Sequence, residues 1–247
     1  CVDLIEEGKN EQVTEVMKTA LSVGIPTSTG HDFFEDFEAR SSAQPRVPCP
    51  TGIPQLDRED VLAGGLARGE LGVITANTGV GKSHMLVNFG AHALRCGKNV
   101  LHYTFELSET KVGLRYDSNL CNIDSNEVIV NKEVVRKAYE GMELGRLIIK
   151  EYPTGSASVI TLRSHIEKLQ MKGFKPSVIL IDYADIMRST RSYDSMRHEL
   201  KLIYVEVRNL SQELGIPIWT ASQANRDSAN SEIVGLENMA EAYGKAM

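Results

Sequence analysis

The 247-residue sequence predicts an α/β fold in which a mainly parallel sheet is flanked by helices. Three observations carry that reading. Short apolar runs alternate with helical periods along most of the chain. The run Ser177-Val178-Ile179-Leu180-Ile181-Asp182 is almost wholly apolar until its last residue, as in a central parallel strand covered on both faces. The small-residue segment Ala76-Asn77-Thr78-Gly79-Val80-Gly81-Lys82-Ser83 falls where one such run turns into a helix.

From the amino end, residues 4–22 read as a helix with Val13, Met17, Ala20 and Leu21 on one side and Glu6, Glu7, Glu11 and Glu15 mostly elsewhere. Such a helix needs a partner surface. Residues 23–50 carry Pro26, Pro45, Pro48 and Pro50 around Phe33, Phe34 and Phe37, which suits a linker with one short docking segment. The expected organisation is thus a linker helix and linker over residues 1–50, then one domain over 51–247.

Within that domain, Leu71 to Ala76 is the first strand, with Gly64, Gly65 and Gly69 supplying turns before it. A helix runs from Lys82 to about Arg95, ended by Gly97, and Asn99 to Phe105 forms the second strand. Ser108 opens the next helix, and residues 131–142 are helical. Arg146 to Tyr152 is a strand. Val159, Leu162, Ile166 and Leu169 mark a helix by their spacing, and Ser177 to Asp182 is the next strand. Met196, Leu200, Ile203, Val207, Leu210 and Leu214 then define a helix, and Ile216 to Ala221 a last strand.

Composition narrows the class. A hydrophobic fraction of 42% and a charged fraction of 24% are ordinary for a water-soluble domain with one sizeable core. No run is long enough to span a bilayer and the start lacks signal-peptide order, so a cytoplasmic protein without membrane contact is expected. A net charge of −6 argues against coating nucleic acid by bulk electrostatics, while allowing a local basic strip. Four scattered cysteines point to reduced thiols, and six histidines without metal-ligand spacing lend no support to zinc or a histidine-based triad.

The chemistry concentrates at the ends of strands. In the segment Ala76 to Ser83, glycine and small residues let successive N–H groups turn around phosphates, assisted by the positive end of the helix that follows. Gly79 and Gly81 serve that geometry; Asn77, Thr78 and Val80 fill the loop, and His84 follows it. Lys82 is placed to reach β- and γ-phosphate oxygens, and the Ser83 hydroxyl suits Mg²⁺. Ala76 stands where glycine is usual, which is acceptable at negative φ. Asp182, at the polar end of an apolar strand, is the second expected metal-site residue. Asp185 reads as a loop carboxylate more than as a ligand. Glu106, ending the second strand, is expected to orient or deprotonate water, and Gln223 to contact the γ-phosphate or that water. Arg188, Arg191 and Arg197, interspersed with Ser189, Thr190, Ser192 and Tyr193, form a basic, hydroxyl-rich region that either grips phosphates of a single strand or is a solvated face.

The order of Thr51-Gly52-Ile53-Pro54-Gln55-Leu56-Asp57, Gly64-Gly65-Leu66, the phosphate loop, Phe105-Glu106-Leu107-Ser108, Ile181-Asp182-Tyr183 and Ser222-Gln223-Ala224-Asn225-Arg226 resembles the ATPase domain of DnaB-like replicative helicases, from about Thr51 to Met247. Ala224 stands where bacterial members usually have Leu, and Thr104-Phe105-Glu106-Leu107 where they have Ser-Leu-Glu-Met. Those departures point to a divergent branch, such as a phage-encoded one acting in its host's cytoplasm. The resemblance implies a RecA-like P-loop ATPase using ATP and Mg²⁺. Its working form would be a homo-oligomer, a hexameric ring on single-stranded DNA, with a primase or helicase loader as partner. It assigns Lys82 and Ser83 to phosphate and metal, Glu106 to water, Asp182 to metal and Gln223 to sensing. It turns the regions around Arg188, Arg191 and Arg197, and from Asn225 through Arg226 toward Lys245, to the central channel. In relatives the last strands carry a basic finger that completes a neighbour's site; the resemblance places it past Met247, so a domain truncated at its C-terminal end is expected. A RecA-type recombinase and a DNA-independent regulatory or clock-type ring ATPase are the competing readings.

Overall fold

The computed structural model describes residues 32–42, 45–191 and 196–223. The chain divides into two units, Cys1–Pro45 and Arg46–Met247. The expected helix over residues 4–22 lies outside the described residues. In the first unit the described part is a short helix, α1 (Phe37–Ser41), preceded by a turn in which the Asp32 carboxylate accepts from the N–H groups of Phe34 and Glu35 at 3.0 and 2.9 Å.

The second unit holds the sheet. Its strands are β1 (Leu71–Ala76), β2 (Val100–Thr104), β3 (Leu147–Glu151), β4 (Val178–Asp182) and β5 (Ile218–Gln223), ordered β1-β5-β4-β2-β3 and parallel throughout. Its helices are α2 (Lys82–Arg95), α3 (Glu109–Cys121), α4 (Ser125–Val128), α5 (Lys132–Glu140), α6 (Val159–Met171) and α7 (Met196–Leu214). The strand alternation sorts side chains into two cores. Val178 and Leu180 pack with Leu86, Phe89, Val112 and Tyr116 of α2 and α3. Ile179 and Ile181 pack with Leu162 and Ile166 of α6 and Ile203, Val207 and Leu210 of α7. All five β4 residues are buried, as the unbroken apolar run requires.

Local signals place the ends. Ser108 caps α3, its hydroxyl accepting from the Lys111 N–H at 3.3 Å. The final strand starts at Ile218, two residues later than the apolar run, and continues through Ser222 and Gln223. Those polar residues remain in the ladder because they pair in register with Thr75 and Ala76 of β1. Pairing of β5 with β4 stops earlier, at Ile181 opposite Thr220. No helix among the described residues is long and apolar enough to cross a membrane.

Candidate nucleotide site

The carboxyl ends of β1, β2, β4 and β5 surround a cavity of about 250 Å³ lined by the phosphate loop, Glu106, Arg115, Asp182, Tyr183 and Gln223, among others. Gly79 and Gly81 have φ of 82° and 102°, and a Cβ on either would meet nothing within 4 Å. Backbone conformation, and not crowding, therefore demands glycine at both. Ala76 is not among the residues with positive φ, so its methyl group is tolerated as expected. Gly81 ends the loop and caps α2, aiming that helix's first turn and its dipole at the cavity.

Lys82 Nζ donates to the carbonyls of Ala76 and Asn77 at 2.8 and 2.9 Å, which holds the ammonium at the loop. Burial lowers its pKa, and the carboxylates of Glu106, Asp182 and Asp185 oppose that shift. Ser83 is the next residue of α2 and also lines the cavity. His84 does too; burial and the Arg115 guanidinium hold its pKa below the usual imidazole value.

Asp182 is 1% exposed, and neither carboxylate oxygen has a hydrogen-bond partner. Burial raises its pKa; the nearby Ser83 hydroxyl, Arg115 and Lys82 pull it down, and Glu106 pushes it up. The net shift is upward, so the charges of Arg115 and Lys82 do not offset the cost of burying a carboxylate that lacks a hydrogen-bond partner. A divalent cation held between Asp182 and the Ser83 hydroxyl fits that need. Among the described residues no three His, Cys, Asp or Glu side chains form a cage, so phosphate oxygens or water would complete the ligand set.

Glu106 follows β2 on a short turn. The Thr104 hydroxyl donates to the Leu107 carbonyl and accepts from the Leu107 N–H, at 2.8 and 3.1 Å, closing the chain around it. The Phe105 N–H donates to the Asp182 carbonyl at 2.8 Å, tying this turn to the end of β4. Glu106 is exposed to the cavity. Gln223 comes from the end of β5, and its amide Nε2 donates to the Tyr183 hydroxyl at 2.9 Å. Lys82, Ser83, Glu106, Asp182 and Gln223 thus converge on one space.

Sequence reasoning missed Arg115. It lies three residues after buried Val112 and next to buried Tyr116 on α3, and its Nη1 is buried without a partner at the cavity wall. A cation at helical spacing on an inward-facing stripe was the available signal. Beneath it, the His102 imidazole and the Tyr116 hydroxyl share a hydrogen bond of 2.9 Å in the core.

Arg188 and Arg191 do not line this cavity. Both are exposed on the segment after β4, where the Ser189 hydroxyl donates to the Arg191 carbonyl at 2.6 Å. Arg197 falls in α7, and Arg226 lies outside the described residues.

Comparison with known proteins identifies the family. The family model described as the DnaB-like helicase C-terminal domain matches residues 49–233. A DnaB-like replicative helicase of Enterobacteria phage T4 is 32% identical over 245 residues, covering 94% of this chain and 51% of that protein. The chain therefore spans about half the length of that relative. Among solved structures, one described as an ATPase domain aligns with a TM-score of 0.67 at 16% identity, over 83% of this chain and 74% of that one. A DnaB-like replicative helicase whose structure was described with its primase interactions aligns with a TM-score of 0.68 at 16% identity, over 97% and 59%. At such identity these two likenesses concern the fold, which is that of the RecA-like ATPase domain. With a parallel sheet that gathers the expected site residues, a matched family model and a relative of this similarity, the chain belongs to the DnaB-like helicase C-terminal domain family.

Proposed function

We propose that this chain is the ATPase motor of a replicative DNA helicase that hydrolyses ATP to move along single-stranded DNA. The observation that carries the reading is the convergence of Lys82, Ser83, Glu106, Arg115, Asp182 and Gln223 on one cavity at the carboxyl ends of four parallel strands. The phosphate loop binds the triphosphate through backbone N–H groups and Lys82. Ser83 and Asp182 are the residues that would hold Mg²⁺, whose part is to neutralise charge on the phosphates. Glu106 accepts a proton from, or orients, the attacking water. Arg115 supplies a second positive group from the same chain, and Gln223 contacts the γ-phosphate or the water. Charge on the transferred group is thereby met by fixed donors, which is most of what phosphoryl transfer asks of a protein.

The exposed Arg188 and Arg191, with Arg197 and Arg226, are proposed to meet the phosphates of single-stranded DNA. A hexameric ring with sites between subunits, and primase or a loader as partner, belong to the same proposal. Support comes from the T4 relative, which is named a replicative helicase, and from the solved helicase described with primase.

The test is ATP hydrolysis by the full-length protein with and without single-stranded DNA, together with unwinding of a forked duplex under ring-forming conditions. DNA-stimulated hydrolysis and strand separation are expected. Hydrolysis indifferent to DNA, with no separation, would reject the helicase reading in favour of a regulatory ATPase.

A further inference from the structure

The last three residues of β5 are secured by an unusual means. Between β4 and β5 the ladder stops at Ile181 and Thr220, so Ala221, Ser222 and Gln223 face no strand on that side. Side chains take its place. The chain leaving β4 makes a 3₁₀ turn, Ala184–Ile186, anchored by the Ala184 N–H donating to the Thr220 hydroxyl at 3.1 Å. That turn sets Asp185 across the end of β5. Asp185 Oδ2 accepts from the Ser222 hydroxyl at 3.1 Å and from the Gln223 N–H at 3.0 Å. Its Oδ1 accepts from the Tyr204 hydroxyl of α7, and that hydroxyl also lies 3.3 Å from the Ala221 carbonyl. Tyr204 is itself fully buried, so its position leaves little freedom to the carboxylate it holds.

We infer that Asp185 is a positioning residue for Gln223, fixing the backbone from which that side chain enters the nucleotide cavity. The inference rests on the reading of Gln223 as the group that contacts the γ-phosphate or its attacking water. A carboxylate is suited to the task, because one oxygen pair accepts from a backbone donor, a serine hydroxyl and a tyrosine hydroxyl together, and hydrogen bonds to a charged acceptor are the stronger kind. Asp185 does not line the cavity; its charge is felt there by Lys82, and its hydrogen bond to the Gln223 N–H is a direct structural link to a residue that does line it. Gln223 is held at its backbone by Asp185 and at its side chain by Tyr183, the residue next to Asp182.

The same helix extends the connection. Glu206, two residues after Tyr204 on α7, accepts from the Thr190 hydroxyl in the segment that carries Arg188 and Arg191. Tyr204 and Glu206 thus attach one rigid element to the sensor strand on one side and to the basic segment on the other.

The experiment is a double-mutant cycle on ATP hydrolysis in the full-length protein, with ATP affinity and melting temperature measured for each variant. Asp185→Ala should lower kcat by about tenfold or more with ATP affinity within about twofold of the parent, while Asp185→Asn, which keeps one acceptor oxygen for Ser222 and Gln223 and loses the charge and the second acceptor, should stay within about threefold. Gln223→Ala should lower kcat, and adding Asp185→Ala to it should cost nothing further. Additive losses in the double variant would overturn the inference. So would an Asp185→Ala variant with parental kcat. If Gln223→Ala alone keeps the parental kcat, the sensor reading fails as well, and the two failures are told apart by that single variant. Should Asp185→Ala fail to fold, Asp185→Asn serves in the same cycle, its smaller loss expected to vanish beside Gln223→Ala.

Discussion

The two ends of the same parallel strands differ in kind. At the amino ends lies a concavity of about 420 Å³, larger than the nucleotide cavity, lined by Arg68, Lys98, Lys175 and the apolar Val47, Leu214 and Ile216, among others. Helices α6 and α7 finish beside it, with Gln170 and Leu214 of their last turns in its lining. At the carboxyl ends, α2 begins, the glycine loop exposes N–H groups, and a buried carboxylate without a partner waits opposite a hydroxyl. Volume is therefore a poor guide to chemistry in this fold. Helix polarity and uncompensated charge decide it.

The sharpest way to break that contrast is Glu106→Gln. Loss of a general base costs about a hundredfold to ten-thousandfold in rate, so single-turnover hydrolysis should nearly vanish while a fluorescent ATP analogue still binds. Parental turnover in that variant would move the water-activating role to another residue. Next comes Lys82→Ala, for which nucleotide affinity measured by titration calorimetry should fall about a hundredfold, since the proposed charge-assisted contact of this half-buried lysine to phosphate would be lost.

A smaller effect comes from the core under the carboxyl end of the sheet. Burial, with Arg115 adding to it, lowers the pKa of His102 from 6.5 to about 3. Above pH 6.5 the imidazole is neutral in both the folded and unfolded chain. Between there and about pH 3 the unfolded chain takes up a proton that the folded one refuses, so stability declines as pH falls. The decline should be about 1.4 kcal/mol per unit, or about 2 kcal/mol by about pH 5. Chemical denaturation across that range should show it, and His102→Gln should flatten it, leaving a residual slope from His84 and His165, whose pKa values are lowered as well. The smallest effect belongs to the other end of the sheet: Lys175→Ala should leave hydrolysis within about twofold, and a larger loss would show that the amino-end concavity takes part in the reaction.

How far the sequence is legible follows from the range of each interaction. The phosphate loop, the polar end of β4 and the cap at Ser108 are written within a few neighbouring residues, and each can be read there. Asp185 reads as a loop carboxylate, because its partners at Ser222 and Gln223 lie 37 and 38 residues away, where no local window reaches. Arg115 escapes notice for a related reason: its importance comes from a cavity assembled by four strands and not from its own helix. The apolar run starts the last strand two residues early and ends it at Ala221, since Ser222 and Gln223 are polar and only their register with β1 keeps them in the sheet.

One consequence of the early end of the β4 and β5 pairing concerns how the site can be watched. The Gln223 amide proton is bound to a carboxylate on a turn and not to the carbonyl of a neighbouring strand. Its resonance frequency and its rate of exchange with solvent deuterium therefore report on Asp185 directly. On the proposed role of Gln223, that one amide signal would follow nucleotide binding without any label placed in the cavity.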